Sequence, residues 1–309
     1  MYYFCTYFDR NYVYRGLALY HSLVRHTPRF FLWVLCLDDI TYELLNEMRL
    51  VSVQTIRLAD FEEAHPELIA TKSDRTPVEY YWTMTPLLPL YILKMQPEVD
   101  LITYLDADLF FYDSPKVIYD ELGNGSVYII PHRFGPQVRE RQELENGKYN
   151  VGYLTFRRDE QGVACLKWWK ERCLEWCYFR VEPGCLGDQK YLDDWPMRFR
   201  GVVVSQNHGV GVGSWNLTNY RVHVQDGRVY LDTHLLIMAH HNAVDILSDR
   251  FFRGQRGWAY SPVFRPYARE LQRAIQSVHA VDPAFNFYCT KLPRWRRIVG
   301  WIQGYVFSI

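Results

Sequence analysis

The chain has 309 residues, of which 49% are hydrophobic and 23% charged, which is enough apolar material for a large buried core and argues against disorder. Lys plus Arg equals Asp plus Glu at 35 each, so no net positive charge attracts the protein to nucleic acid. A charged ligand would have to bind to a local cluster of charged residues. No apolar run reaches the roughly 20 residues that span a bilayer, and the opening "MYYFCTYFDR" predicts a strand rather than an export signal. We therefore expect a cytoplasmic protein.

Strand-forming and helix-forming runs alternate along the first third of the chain. In order they are "YYFCTYF", "GLALYHSLVRH", "FFLWVLCL", "TYELLNEMRL", "VSVQTIRL", "DFEEAHPELIA", "PVEYYWTMTPLLPLYILKM" and "DLITYLD". This alternation predicts a mostly parallel sheet with helices on both faces. Further along, "SVYIIP" and "YNVGYLTF" predict two strands, "GVACLKWWKERCLEWCYF" a long helix, and "RVYLDTHLLIMAHH" two short strands.

The seven cysteines are scattered, and three of them fall in the predicted long helix. Cys165, Cys173 and Cys177 are spaced by eight and four residues, which places them on one helix face. They lack the paired C-x-x-C or neighbouring histidine of a structural zinc site. We expect reduced thiols packed in the core, as is usual in the cytosol.

The stretch "LITYLDADLFFY" places Asp106 and Asp108 at the end of an apolar strand. Alternate residues of an extended chain face the same way, so the two carboxylates would repel unless a cation lies between them. A turn with a solvated carboxylate pair is the alternative. In open parallel sheets, ligands bind beyond the carboxyl ends of the strands. Because "TYFDRNY" ends the first strand, we expect both segments to border one cleft.

These segments carry a resemblance to a known family. "YLDADLFF" resembles the D-x-D signature of GT-A-type glycosyltransferases, and "TYFDRNYVYRGLALYHSL", "YNVGYLTF", "GDQKYLDDWP", "SWNL" and "AHH" accompany it in the order expected of a bacterial sugar-nucleotide transferase. The set, from about residue 2 to residue 241, is similar to glycosyltransferase family 8 and to transferases encoded with bacterial surface polysaccharide genes.

The resemblance implies a GT-A (Rossmann-like) α/β fold with a mixed, mostly parallel sheet flanked by helices. We expect a single domain over 1–245, with a nucleotide-binding half at 1–112 and a donor-sugar and acceptor half at 113–245. A C-terminal helical appendage would follow at 246–309.

A divalent cation would stabilise the negative charge that a nucleoside diphosphate leaving group gains. By analogy with the family, Asp108 is the direct metal ligand, and Asp106 bridges the metal and the ribose. The family implies a further ligand from "LLIMAHHNAV", where His240 matches the expected position; His241 as ligand, or a purely structural pair, is the alternative. Imidazole beside two carboxylates favours Mn²⁺, with Mg²⁺ as the alternative.

Donor contacts are likewise implied by the resemblance, with a UDP-sugar as the first candidate. Thr6, Asp9 and Asn11 of "TYFDRNY" would contact the base and ribose, although Asp9 could instead form an Asx turn that caps the next helix. Arg75 of "RTPVEYYWTMTP" could neutralise a diphosphate oxygen, since a guanidinium suits oxyanions; a surface arginine is the alternative.

The donor sugar would be lined by two further segments. Asn150 of "YNVGYLTF" offers an amide to sugar hydroxyls or a phosphate oxygen, and Asp188 and Gln189 of "GDQKYLDDWP" would face the reacting carbon. For Asp188 the alternative is a helix N-terminal residue with no catalytic part. Trp215 of "SWNL" would stack on a sugar or fill core.

We therefore expect a metal-dependent hexosyltransferase that moves a sugar from a nucleoside diphosphate donor to a carbohydrate or lipid-linked glycan acceptor, in bacterial surface polysaccharide or lipopolysaccharide synthesis. Family resemblance implies retention of configuration; if the enzyme inverts, Asp188 is the candidate general base. A sugar-nucleotide hydrolase and a non-catalytic sugar-nucleotide-binding protein are the rival hypotheses.

The last segment, "KLPRWRRIVGWIQGYVFSI", combines basic and aromatic residues. Lys291, Arg294, Arg296 and Arg297 precede an apolar run that contains Trp301. Such a segment suits the surface of an anionic membrane, which predicts peripheral association with the inner face of the cytoplasmic membrane. A final helix packed on the domain is the alternative.

Overall fold

The computed structural model describes residues 1–182, 184–255, 261–287 and 306–308. The strands of this part are β1 (Tyr2–Phe8), β2 (Phe30–Cys36), β3 (Val53–Arg57), β4 (Leu101–Leu105), β5 (Leu109–Phe111), β6 (Val127–Pro131), β7 (Tyr149–Arg157), β8 (Val202–Val204), β9 (Val210–Gly213), β10 (Val222–Gln225), β11 (Arg228–Leu231), β12 (His234–Leu235), β13 (Met238–His240), β14 (Asp245–Ile246), β15 (Phe251–Arg253) and β16 (Val306–Ser308).

The α-helices of the same part are α1 (Val13–His26), α2 (Asp39–Met48), α3 (Leu58–Glu63), α4 (Pro66–Ile69), α5 (Pro77–Met84), α6 (Leu87–Met95), α7 (Lys116–Leu122), α8 (Arg139–Asn146), α9 (Glu160–Glu175), α10 (Trp195–Arg198) and α11 (Phe264–Val281). Two 3₁₀ turns cover Lys190–Asp194 and Leu217–Asn219.

The central sheet has seven strands in the order β3-β2-β1-β4-β7-β6-β8. Strands β1 to β4 are parallel, β7 is antiparallel to both β4 and β6, and β8 is parallel to β6. The predicted mixed, mostly parallel α/β sheet is therefore confirmed. The strand order reverses between β1 and β4, and a crevice opens at such a switch point beyond the strand ends.

Successive residues of a strand point to opposite faces of the sheet, and here the residues on both faces are apolar. Helices therefore cover both faces. On β1, Phe4 packs into a core shared with α1, α2 and α11, whereas Cys5 packs into a core shared with α5, α6 and α9. Helix α5 begins behind a capping box in which the side chains of Thr76 and Glu79 each bond the other's backbone. This cap fixes the helix that carries Trp82 to the edge of the crevice.

The prediction of buried free thiols is confirmed, but the prediction that all three lie on one helix face holds only for Cys165 and Cys173, because α9 ends at Glu175. Cys165, Cys173 and Cys177 are fully buried and free, the first two on α9 and the third just beyond its end. Burial raises the pKa of the Cys173 thiol well above its usual range, so the group stays protonated.

The expectation of two short strands in "RVYLDTHLLIMAHH" was wrong, because the segment forms β11, β12 and β13. A positive φ of 54° at Asp232 turns β11 directly into β12. Strand β13 then leaves this hairpin and pairs with β5 and β9 in a separate sheet. Its register sets His240 opposite Leu109, directly after the D-x-D segment.

Helix α11 packs on α1 and is tied to it by Glu270. One oxygen of this buried carboxylate lies 2.9 Å from His21 Nδ1, and the other lies 2.7 Å from Arg25 Nη2. Within the described residues, no helix is both long and apolar enough to cross a membrane. The basic aromatic tail from 291 onward lies outside the described residues, apart from the pairing of β16 with β15. The membrane association and the domain boundary at 245 stay predictions.

Candidate active site

The D-x-D segment forms a tight turn where β4 ends. The N–H of Asp106 donates to the Gly152 carbonyl at 2.8 Å, and the Asp106 carbonyl accepts from Leu109 N–H at 3.1 Å. Tyr104 Oη donates to Asp106 Oδ1 at 2.7 Å. The Asp106 side chain is 31% exposed, whereas that of Asp108 is 9% exposed. A turn is thus present, but one of its two carboxylates is buried rather than solvated.

His240 faces both carboxylates from the end of β13. Its Nε2 lies 2.9 Å from Asp108 Oδ1 and 3.6 Å from Asp106 Oδ2. Burial alone would lower the pKa of His240, but Asp108 and Asp106 raise it to about 8. Burial raises the pKa of Asp106 above its usual range. Burial also acts to raise the pKa of Asp108, but the charge and hydrogen bond of His240, with the charges of Arg15 and His241, outweigh it and lower that pKa.

One ligand atom from each of Asp106, Asp108 and His240 lies within 4.8 Å of the others. Two carboxylate oxygens and an imidazole nitrogen are a donor set that suits a divalent cation of the manganese type. In the part of the chain that the structure describes, this is the one group of at least three such residues that could hold a metal ion.

His241 points to the other side of β13 and does not join this cluster. Its ring stacks on Tyr267 with centroids 4.0 Å apart, and its Nε2 lies 2.9 Å from Tyr112 Oη. Burial lowers its pKa to about 3, so the ring is neutral. Of the two adjacent histidines considered as ligands, the geometry therefore favours His240, with His241 packed in the core.

A cavity of about 370 Å³ opens between the end of β1 and α5, and we call it the front cavity. Asp9, Asn11 and Tyr81 line it. Asp9 Oδ1 accepts from the backbone N–H of Asn11 at 3.0 Å, and Asp9 Oδ2 accepts from its side-chain amide at 2.9 Å. The Asx turn considered for Asp9 is thus present, with both residues on the cavity wall, but it does not cap the next helix, since α1 begins behind Tyr12 without a side-chain cap. Thr6 is fully buried within β1 and is not among the lining residues.

A second cavity of about 400 Å³, which we call the back cavity, adjoins the first. Asn150, Asp188, Gln189 and Trp215 line it. Asp106, His240, Asn242, Tyr7 and Trp82 border both cavities. The candidate cation site therefore lies where the two cavities meet.

Asp188 is the buried carboxylate of the back cavity. Its backbone carbonyl accepts from Trp169 Nε1 at 2.8 Å, which fixes the segment before the 3₁₀ turn. The residue is 5% exposed, and its Oδ2 has no hydrogen-bond partner within the described residues. Burial, followed by the charge of Asp106, raises its pKa to about 7. Asp188 thus brings a buried carboxyl oxygen without a described hydrogen-bond partner to the wall of the back cavity.

Gln189 and Trp215 are held by backbone groups. Gln189 Nε2 donates to the Asn146 carbonyl at 2.8 Å, and its Oε1 accepts from Val151 N–H at 3.3 Å. Trp215 Nε1 donates to the His132 carbonyl at 2.9 Å, and the Trp215 ring meets the His240 ring edge-on. Both side chains are thus preorganised at the cavity wall.

Arg75 lies apart from both cavities. Its guanidinium, 1% exposed, pairs with Asp74 at 2.8 Å and lies 3.9 Å from the ring centre of Tyr178. The structure therefore does not bring Arg75 together with the other predicted site residues. The functional roles predicted for all of these residues stay predictions.

Sequence reasoning missed several lining residues, among them Tyr7, Trp82, Tyr104 and His132. His132 follows "SVYIIP" just as Asp106 follows "LITYL", so its place at a strand end was a usable signal. Tyr104 and Tyr7 could not be distinguished from core aromatics by pattern alone.

The open sheet with its switch point, the D-x-D turn at a strand end and the adjoining cavities define a GT-A-like fold. Residues 5–160 match the profile of glycosyl transferase family 8. Two proteins of Bacillus subtilis (strain 168), both described as uncharacterized, are similar over nearly their whole lengths. YfnF is 32% identical, covering 93% of this chain and 97% of its own, and YfnD is 30% identical, covering 92% and 93%. The chain belongs to glycosyl transferase family 8.

Solved structures agree on the fold. The galactosyltransferase LgtC, in complex with donor and acceptor sugar analogs, superposes with a TM-score of 0.53 at 14% identity, covering 95% of this chain and 99% of its own. The apo form of mouse xyloside xylosyltransferase 1 superposes with a TM-score of 0.51 at 14% identity, covering 78% and 97%. At these identities the likeness shows the fold alone.

Proposed function

We propose that the protein transfers a sugar from a nucleoside diphosphate donor, with a UDP-sugar as the first candidate, to a carbohydrate acceptor. The observation that carries this proposal is the cluster of Asp106, Asp108 and His240 at the junction of the two cavities. A diphosphate joins nucleotide to sugar, so a cation site at the junction suits a donor whose nucleotide occupies the front cavity and whose sugar occupies the back cavity.

Asp106, Asp108 and His240 would hold Mn²⁺ or Mg²⁺, since their oxygen and nitrogen donors fit such a cation. When bound, the cation would act as a Lewis acid toward the diphosphate leaving group. The chain itself orients Asp106 through Tyr104 Oη and the Gly152 carbonyl. This preorganisation lowers the cost of arranging charge during the reaction.

Asp9 and Asn11 would contact the base or ribose in the front cavity. In the back cavity, Asp188 Oδ2 and the Gln189 amide would bind hydroxyls of the donor sugar and fix its reacting carbon. From family membership we expect retention of configuration, with the protein supplying mainly positioning and electrostatic stabilisation. If the product is inverted, Asp188 would be the general base, and its pKa of about 7 suits that task. Proton NMR of the product anomer distinguishes the two outcomes.

The acceptor would be a carbohydrate or a lipid-linked glycan of a bacterial surface polysaccharide. The support for a lipid carrier comes from the basic and aromatic composition of residues 291–309. We expect the intact protein to sediment with anionic vesicles at low salt, and a chain ending at residue 290 to remain in solution. Equal behaviour of the two proteins would remove the support for a membrane-bound acceptor.

A donor screen tests the function. The protein is incubated with Mn²⁺ and single nucleotide sugars, with and without acceptor saccharides, and nucleoside diphosphate release is followed. We expect release from one donor that depends on an acceptor and stops with excess chelator. Release with free sugar as the product, independent of acceptor, would identify a hydrolase instead. Release that continues at the same rate in chelator would overturn the cation-dependent mechanism.

A further inference from the structure

The side-chain amide of Asn150 lies beside the candidate cation site and is fully hydrogen bonded. Its Oδ1 accepts from Gly152 N–H at 3.0 Å and lies 3.2 Å from His240 Nδ1. Its Nδ2 lies 3.3 Å from His132 Nε2 and 3.4 Å from Gln189 Oε1. A primary amide has two acceptor positions and two hydrogens, so these four contacts use its whole capacity.

The backbone N–H of Gly152 fixes which atom of the Asn150 amide faces His240. The N–H of Gly152 can only donate, so the atom of the amide that faces it is the oxygen. Because that oxygen also faces His240 Nδ1, the hydrogen of their bond must come from the imidazole. His240 Nε2, on the far side of the ring, is then the nitrogen that is presented to Asp106 and Asp108.

The opposite end of the chain of hydrogen bonds is equally constrained. His132 Nδ1 lies 3.0 Å from the Gly147 carbonyl, which can only accept, so Nδ1 carries the hydrogen. Burial lowers the pKa of His132 to about 4, so the ring is neutral near pH 7 and its Nε2 is an acceptor. That nitrogen therefore suits the Nδ2 hydrogen of Asn150 and opposes a flip of the amide.

We propose that Asn150 is a positioning residue for the cation site: it holds the His240 ring with Nδ1–H toward its own Oδ1 and Nε2 toward the cation, while His132 holds the amide. The proposal rests on the proposed cation-dependent function. It gives Asn150 a task different from the sugar contact suggested by the sequence, because its four hydrogen-bonding positions are already used by the protein. Metal-bound histidines generally need such a partner on the second ring nitrogen, and its loss typically weakens binding 10- to 100-fold.

The close packing around Gly152 supports this role. A Cβ atom added at Gly152 would lie 2.8 Å from Asn150 Oδ1, 2.8 Å from His240 Cε1 and 2.9 Å from His240 Nδ1. The absence of a side chain here lets the amide and the ring approach each other. On strand β7, Asn150 thus provides the acceptor for His240, and Gly152, two residues on, leaves the space for its ring.

The experiment measures Mn²⁺ affinity without donor, by electron paramagnetic resonance of the free ion. We expect Asn150→Leu, which keeps the size but not the acceptor, to weaken binding about 10- to 100-fold. Asn150→Asp, which keeps an acceptor oxygen, should bind within about threefold of wild type. Asn146→Leu is the matched control, since Asn146 also lines the back cavity but its amide bonds Gln142. Wild-type affinity in Asn150→Leu, or equal losses in the Leu and Asp variants, would overturn the proposal.

A spectroscopic measurement separates positioning from a general structural effect. In the Mg²⁺-saturated protein labelled with ¹⁵N-histidine, the imidazole signal that His240→Gln removes should be protonated at Nδ1, with its proton shifted downfield by the bond to Asn150. That downfield shift should disappear in Asn150→Leu, and its persistence would contradict the proposed contact. If wild-type protein fails to bind Mn²⁺, or His240→Gln binds it equally well, the cation site of the proposed function fails instead.

Discussion

The front and back cavities meet at Asp106 and His240 but are assembled differently. In the front cavity, Asp9 and Asn11 bond each other across two residues of one turn. In the back cavity, Asn150 is linked to Gln189 across 39 residues and to His240 across 90. Where the contacts of a cavity wall join residues close in sequence, a substitution should weaken only the ligand contact made there. Where the contacts join distant segments, a substitution that displaces one segment should also displace the cation ligands and weaken cation binding.

The largest effect is expected at the junction. Asp108→Asn removes a charged ligand without changing its shape, so turnover should fall at least about a thousandfold, the equivalent of some 4 kcal/mol of transition-state stabilisation. Circular dichroism should show an unchanged fold. The matched control is Asp120→Asn, whose side chain is exposed on α7 and which should turn over like wild type. An active Asp108→Asn protein would break the assignment of the cation site.

In the back cavity, Asp188→Asn should lower turnover by about 100-fold, because a neutral amide replaces the carboxylate that would face the donor sugar. Calorimetry with nucleoside diphosphate alone should give wild-type affinity, since the nucleotide would lie in the front cavity. An equal loss of nucleotide affinity would show that the two cavities do not divide the donor in this way.

The same substitution should change how stability depends on pH. The pKa of Asp188 is raised from 3.8 to about 7 in the fold, so between these values the folded protein binds more protons than the unfolded chain. Wild-type stability should therefore fall as pH rises from about 4 to 7 and level off above that, whereas Asp188→Asn should lack this loss and be more stable at pH 8 by roughly 1 to 4 kcal/mol. Urea unfolding at pH 5 and pH 8 measures both slopes, with the exposed Asp194→Asn as control. Parallel slopes in wild type and Asp188→Asn would contradict the burial of a charged group.

Gly152→Ala tests the long-range assembly of the back cavity. The added methyl group should push the His240 ring or the Asn150 amide aside, and Mn²⁺ affinity should fall about tenfold or more. Gly227→Ala is the control, because it adds a methyl group in open space at a φ of 75° and should cost only local stability. Unchanged Mn²⁺ affinity in Gly152→Ala would mean that cation binding does not depend on the close packing around His240.

The smallest effect is expected in the front cavity. Asn11→Ala removes one polar contact of a local turn, so nucleoside diphosphate affinity should fall about 3- to 10-fold, as for one hydrogen bond. Mn²⁺ affinity in the absence of nucleotide should stay at the wild-type value. A parallel loss of Mn²⁺ affinity would show that this turn also supports the cation site, and the contrast between the cavities would disappear.

The sequence pointed to Asp106 and His240 because each lies at the end of an apolar strand. The apolar run before Asp106 and the run before His240 identify strand ends. Strand β13 lies in a different sheet from β4, however, and the two ends meet because β13 pairs with β5, the strand that follows the D-x-D turn. The choice between His240 and His241 could not be made from pattern alone. It depends on the register of β13 against β5, which decides which histidine faces the carboxylates.

Other features depend on contacts that local patterns do not show. The guanidinium of Arg75 packs against Tyr178, a contact across about a hundred residues, so its position outside the cavities had no local signal. The run "YNVGYLTF" predicts a strand but not that β7 runs antiparallel to β4. That direction places Gly152 beside Asp106 and brings Asn150 to His240.

The most direct measurement of the central claim is a crystal structure grown with Mn²⁺ and a nucleoside diphosphate, with data collected at the manganese absorption edge. We predict one strong anomalous peak at the junction of the cavities, about 2.0 to 2.3 Å from oxygens of Asp106 and Asp108 and from Nε2 of His240. The diphosphate should bridge this peak and the front cavity. An anomalous map with no peak at these residues, while the nucleotide is clearly bound, would contradict a cation-dependent transfer at this site.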